Sequence, residues 1–292
     1  MAARNRYAES VVATPQPPDG DAARKRAPRR RPSASRIVAP TPEQGCAALI
    51  VAHDQARRIA ATVRAAVAIP GVDLVLVVDD GSTDNTQDLA RKSGAVVVRH
   101  PHPRGRSAAI ETGAAVAAMR DDPAVPPRAL LILDGRLGNQ AIGAAPLVPA
   151  VTEKVCDMAV ALTAGGGRAL GLSTKASRKA IKKASNWEPR QPMSSIRCLT
   201  REAFEQCLPL ARGSGLEPAM TLDVLHAGLT VTEVECEIAG NSRSGVARTA
   251  PGRANQYRDV LMAIGSRRMR QGLTDTGRAM GVGRSQAQEE HE

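Results

Sequence analysis

The sequence predicts an α/β fold: a mainly parallel, Rossmann-like wound sheet with helices on both faces. Three observations predict it. Apolar runs of strand length alternate with stretches of helical period. The second run opens into an acidic turn, VVDDGSTDNT at residues 77–86, that leads into a helix. The core must also be aliphatic, because the chain holds one Phe, one Trp and two Tyr among 292 residues.

The elements follow in order. CAALIVA (46–52) reads as a buried strand, and helix 55–68 follows with Ile59, Val63 and Val67 about one turn apart. The strand DLVLVV (73–78) then enters the DDGSTD turn. The short helix after it has Asp84 as N-cap, Gln87 three residues on and Gly94 as its stop. AVVVR (95–99), helix 106–119, ALLIL (129–133), a helix near 141–152 and DMAVAL (157–162) continue the alternation. Beyond Gly165 come a Gly-rich turn, GGGRALG, and a basic helix over 174–186. Helices near 201–208 and 217–227, the strand VTEVECEI (231–238) and helix 252–270 complete the pattern. Such a sheet binds ligands at the carboxyl ends of its strands.

Residues 1–44 are rich in Pro, Ala, Arg and Ser without periodicity, the composition of a disordered tail. Residues 272–292 read as a frayed end. The domain between them spans 45–271, in two halves at 45–162 and 163–271. The net charge of +11 suits a polyanionic partner, but nine Lys or Arg against three acids fall within residues 1–36. Much of the excess therefore belongs to the tail. Scarce aromatics disfavour single-stranded nucleic acid, which needs stacking platforms.

The five cysteines are scattered and show no metal spacing, which fits reduced thiols in a cytoplasmic protein. No apolar run reaches membrane-span length, and the N-terminus lacks a signal-peptide core. Membrane contact would be peripheral, at the inner face of the cell membrane. One feature suits it: Lys175, Arg178, Lys179, Lys182 and Lys183 share one helix face, fit either for anionic headgroups or simply for solvent.

Four strand ends carry polar residues toward one cleft: His53-Asp54-Gln55, Asp79-Asp80, Arg104-Gly105-Arg106 and Asp134-Gly135-Arg136. Carboxylates there can accept from a base imide or ribose hydroxyls, and arginines can clamp a diphosphate. The alternative for Asp79-Asp80 is a plain helix-entry turn, and for Asp134 a strand-end cap.

The order VVDDGSTD, RGR-x-x-A-x-x-x-G (104–113) and LD-x-x-LG (133–138) resembles family 2 glycosyltransferases of GT-A fold, over roughly residues 46–265. The pattern is similar to bacterial enzymes of the dolichyl-phosphate mannose synthase and glucosyl-3-phosphoglycerate synthase kinds. The resemblance implies sugar transfer from a nucleoside-diphosphate sugar to an acceptor, an anionic small molecule or a lipid phosphate. It implies that Asp79 and Asp80 bind the nucleoside, that His53, Asp54 and Gln55 line the base pocket, and that Arg104 and Arg106 sit by the phosphates. Asp134 would open a metal-binding DxD for Mg2+ or Mn2+. Glu217 and Asp223 would be acceptor-side acids, either one a base for a hydroxyl acceptor, and Arg197 a phosphate or acceptor contact.

The departures from the pattern concentrate at the diphosphate. The third DxD position is Arg136, which repels a cation, and a late His is replaced by Asn241. Either Arg136 itself stabilises the leaving diphosphate, or the site is inert and the domain serves as a binding or scaffold protein. A basic nucleic-acid-associated protein is the third reading.

Overall fold

Strand β1 (Cys46–Ala52) is an interior strand of the sheet because nothing in it needs water: apart from half-buried Val51, its residues are at most 1% exposed. It pairs in parallel with β2 (Val72–Asp79) on one side and β4 (Ala129–Asp134) on the other. The structure is a computed structural model that describes residues 45–164, 171–239, 251–267 and 269–270. The expectations for the N-terminal tail, the turn at 165–170, Asn241 and residues 272–292 lie outside the described residues.

The sheet has seven strands in the order β3-β2-β1-β4-β6-β5-β7, with β3 at Val96–Arg99, β5 at Met158–Ala164, β6 at Arg197–Leu199 and β7 at Val231–Ala239. Only β6 runs against the rest, antiparallel to both β4 and β5. The predicted α/β architecture is therefore the observed one. Chain order steps outward from β1 to β3 and then returns to β4 on the other side of β1. The crevice of an open α/β sheet forms where the order reverses in this way, here at the carboxyl ends of β1 and β4.

Alternation along each strand divides the core into two layers. Ala48, Ile50 and Ala52 face Ile59, Val63 and Ala66 of α1 (Ile59–Val67), Ala90 of α2 (Thr86–Lys92) and Leu147, Val148 and Val151 of α4 (Leu147–Thr152). Ala47 and Leu49 face the other way, toward Ile110 and Ala114 of α3 (Arg106–Ala118). That layer also holds Phe204 of α6 (Arg201–Gln206) and Met220 of α7 (Leu216–His226). A smaller cluster joins Ile181 of α5 (Leu172–Ser185), Leu222 of α7, and Val260 and Ile264 of helix 251–267. All five cysteines are buried free thiols, small core residues as expected.

Several boundaries differ from the sequence pattern. Helix α1 begins at Ile59, not at 55, because the Gln55 and Ala56 amides donate to Thr86 Oγ1 (2.7 Å) and Asp84 Oδ2 (3.0 Å). Asp84 is accordingly not the N-cap of α2. Asn85 holds that position, while Asp84 accepts from Thr86 N–H at 3.0 Å and ties the α2 entry to the chain after β1. The helix expected near 141–152 is a 3-10 turn at Gly138–Ala144 followed by α4. Pro146 and Pro149 lack the N–H that a continuous helix would require of them. The run SSIRCLT contains strand β6, hidden in the sequence by its length of three residues and its arginine.

On the basic helix α5, Lys175, Lys179, Lys182 and Lys183 are exposed. Arg178 turns inward to donate to the carbonyls of Pro189 (2.9 Å) and Arg190 (3.0 Å), and Lys182 pairs with Glu188 (2.5 Å). No helix among the described residues is long and apolar enough to cross a membrane.

Leu131 is fully buried in the middle of β4, with Cys198 as its cross-strand partner. Leu131→Ala is expected to cost about 2–5 kcal/mol, read from the midpoint of a denaturant titration.

Candidate functional site

The turn after β2 is built by its own acids. Asp79 is fully buried, and its Oδ1 accepts from Ser82 N–H (3.0 Å) and from the Ser82 hydroxyl. Its Oδ2 has no hydrogen-bond partner, with Arg99 Nε 3.7 Å away. Asp80 is also buried, and both of its oxygens are engaged. Oδ1 accepts from Arg104 N–H (2.8 Å) and from His100 Nδ1 (2.7 Å), and Oδ2 accepts from Gly105 N–H (2.8 Å). Burial alone would raise the Asp80 pKa; these donors outweigh it and hold the carboxyl below its ordinary value. Gly81, at φ +73°, completes the turn, since a Cβ there would lie 2.8 Å from the His102 backbone. The carboxylates expected to contact a nucleoside thus face inward and shape the loop.

His100 was not evident in the sequence. It is buried at the end of β3, between Asp80 and Thr112 Oγ1 (3.0 Å to Nε2), and so links the acidic turn to α3. Its one sequence signal is a polar residue immediately after the apolar run of β3.

The 53–55 loop locks onto the same turn. His53 Nδ1 lies 2.8 Å from the Asp80 carbonyl, and Gln55 Nε2 donates to the His53 carbonyl (2.8 Å). Asp54, at φ +50°, accepts from Thr83 N–H (2.8 Å), the contact that chiefly lowers its pKa. His53 and Asp54 keep nearly half of their side-chain surface open.

At the end of β4 a second group assembles. Arg136 donates to Asp134 three times: N–H and Nε to Oδ1 (3.0 and 2.9 Å) and Nη2 to Oδ2 (2.7 Å). Arg106, the first residue of α3, stands 3.8 Å from Asp134 Oδ2 and 3.6 Å from Glu217 Oε1, and donates to the Ser195 carbonyl (2.8 Å). Burial would raise the Asp134 pKa, but the hydrogen bonds from Arg136 and the charges of both arginines leave it lowered. Glu217 differs. Desolvation raises its carboxyl above the ordinary 4.5 despite the opposing charges of Arg106 and Arg197.

Asp134, Arg136, Arg106 and Glu217 therefore come together, and Arg104 exposes its side chain beside them in sequence. Arg197 and Asp223 take other positions. Arg197 is 1% exposed and donates to Thr221 Oγ1 (2.9 Å) and to the carbonyls of Ser194 and Pro192; desolvation pushes its pKa down to about 10. Asp223 pairs with Arg267 of helix 251–267 (3.0 Å), on a different face of α7 from Glu217. Two open clefts, of about 600 Å³ between α3 and α6 and about 910 Å³ beside β5 and β7, hold none of these residues.

The donor set at Asp134 does not suit a divalent cation, which seeks several hard oxygen ligands. Asp134 offers one carboxylate, already chelated by one guanidinium and flanked by another. Among the described residues no group of three or more His, Cys, Asp or Glu could hold a metal.

With this geometry in view, the region around the first three strands is decisive: residues 47–120 match the model of glycosyl transferase family 2. That segment is similar to family 2 glycosyltransferases, and the sheet around it has the GT-A fold. Among solved structures, the chain is similar to glucosyl-3-phosphoglycerate synthase from Mycobacterium tuberculosis. The complex of that synthase with phosphoglyceric acid superposes with a TM-score of 0.61 at 20% identity, over 76% of this chain and 80% of that one. Its complex with uridine-diphosphate gives 0.61 at 21%, over 77% and 80%. The complex with Mn2+, UDP-glucose and phosphoglyceric acid gives 0.60 at 20%, over 76% and 80%. At these identities the likeness is one of fold. No curated protein sequence matches the chain.

The raised Glu217 carboxyl has a pH consequence. A carboxyl whose folded pKa lies above its unfolded value favours the protonated form, so its ionisation costs stability. The cost is absent below the unfolded value of 4.5 and complete above the raised folded value. Glu217→Gln removes it. The melting temperature of the variant relative to the native chain is expected to rise as the pH increases above 4.5; thermal melts across a rising pH series check the sign.

Proposed function

We propose that this glycosyltransferase moves a sugar from a nucleoside-diphosphate donor to an anionic small-molecule acceptor. The observation that carries the proposal is the meeting of Asp134, Arg136, Arg106 and Glu217 at the carboxyl edge of the sheet. That edge is where open α/β sheets bind ligands. The similar synthase binds uridine-diphosphate and phosphoglyceric acid in crystals, which supports the same two ligand classes here.

The nucleoside is assigned to the 53–55 loop and the face of the 79–84 turn, with His53 and Asp54 as the open polar groups and with Asp79 and Asp80 shaping the pocket wall. Arg104 and Arg106 provide the cationic approach for the phosphates. An acceptor oxygen attacks the anomeric carbon, the bond from that carbon to the diphosphate oxygen breaks, and the diphosphate leaves with the electron pair. For a hydroxyl acceptor the proton goes to Glu217, whose raised pKa brings it nearer the operating pH of a general base. A phosphate acceptor, already ionised, needs no base. Arg197 donates to Thr221, one turn along α7 from Glu217, and its charge opposes the rise of the Glu217 pKa. Asp223 anchors helix 251–267.

The test is a donor and acceptor screen by mass spectrometry with UDP- and GDP-sugars, phosphoglyceric acid serving as the first acceptor. Transfer is expected, with Glu217→Gln lowering kcat roughly 10²–10⁴-fold for a hydroxyl acceptor and leaving nucleotide affinity unchanged. Nucleotide binding without transfer to any acceptor would reassign the domain as a binding protein.

A further inference from the structure

We propose that Arg136 takes the part of a divalent cation in this site: its guanidinium, carried on Asp134, receives the donor diphosphate directly, so nucleoside-diphosphate binding requires no metal. The inference rests on the glycosyltransferase reading and names the group that neutralises the leaving diphosphate.

The turn that presents Arg136 is rigid. Gly135 N–H donates to the Val51 carbonyl (2.9 Å), and the Gly135 carbonyl accepts from Thr62 Oγ1 (2.9 Å). The Arg136 carbonyl accepts from Arg58 Nη1 (3.0 Å). Gly135 also lies against β1, where a Cβ would come within 3.0 Å of Ala52 Cβ and 3.2 Å of the Val51 carbonyl. Strand β1 and the start of α1 therefore set the direction in which the Arg136 side chain leaves the backbone.

The guanidinium is held by one edge and has donors to spare. Of the five N–H groups of a guanidinium, Nε–H and one Nη2–H go to Asp134, which leaves three. The Arg136 side chain is 48% exposed, against 18% for Asp134, so the acid is the more covered of the two and the cation is open to solvent at the carboxyl edge of the sheet. A phosphate can take the remaining donors without breaking the pair with Asp134. Arg106, 3.8 Å from Asp134 Oδ2, the oxygen that Arg136 Nη2 also contacts, adds a second positive charge. Two guanidiniums around one carboxylate form a preorganised cationic site for an anion whose charge increases as the sugar bond breaks. The same arrangement works against a metal, because a cation would have to displace Arg136 from both Asp134 oxygens and then sit beside Arg106.

The experiment is titration calorimetry of the full chain with UDP, GDP, uridine and guanosine, in EDTA and in Mn2+. Equal affinity for the preferred nucleoside diphosphate in both buffers is expected. Arg136→Ala should weaken that diphosphate roughly ten- to hundredfold and leave the matching nucleoside unchanged, with a thermal melt showing that the variant is folded. Arg136→Asp, which returns an acid to the third position, should recover diphosphate binding only with Mn2+. Native binding that needs Mn2+, or an Arg136→Ala chain that binds the diphosphate as tightly as the native one, would overturn the inference and leave the glycosyltransferase reading intact. No binding of either diphosphate in either buffer would overturn that reading itself.

Discussion

Parallel pairing holds β1 in register with both neighbours at once, Ala52 opposite Asp79 and Val51 opposite Asp134. Both faces of β1 are covered by helices, so its residues must be apolar and mostly small, and polar chemistry is confined to its end. The two acids on the flanking strands then end beside the same point. A slip of one residue in either ladder would turn every buried side chain of that strand toward the opposite layer. Core packing thereby sets where the site lies.

The acids around that point divide by what satisfies them. Asp80, buried, and Asp134, partly buried, are lowered because N–H groups and guanidiniums outweigh desolvation. Glu217 and Asp223 are raised because desolvation wins. Lowered acids suit scaffolding: Asp80 fixes the Arg104-Gly105 turn and Asp134 fixes Arg136. At the opposite edge of the sheet, Asp121 bridges Arg128 (3.0 Å) and Arg201 (2.9 Å), an ion network that joins α3, β4 and α6. Ion pairs of the same chemistry join helices to the sheet at one edge and gather Arg106, Asp134, Arg136 and Glu217 at the other.

Much of the fold was legible because long apolar runs and helical periods depend on local sequence alone. Strands β1, β2, β4 and β5 appear as unbroken aliphatic runs. Strand β6 does not, because a three-residue strand that begins with a buried arginine leaves no pattern in sequence. His100 was missed for a related reason: a polar residue at a strand end looks solvated until Asp80 and Thr112 are seen to enclose it. Arg197 and Asp223 each had a motif to suggest a role at the cleft, but motifs do not specify burial. Arg197 lies inside the α7 layer and Asp223 against Arg267.

The sequence by itself determined that this is a wound α/β chain with an acidic turn after its second strand and an arginine at the third position of Asp134-Gly135-Arg136. Those properties follow from residue identity and short-range period. Only the tertiary structure decided the partners. It turned Asp79 and Asp80 inward, folded Arg136 back onto Asp134, and set Arg106 between Asp134 and Glu217. The reason is distance along the chain: Arg106 and Glu217 lie on α3 and α7, and helices remote in sequence meet only where a shared sheet brings them together.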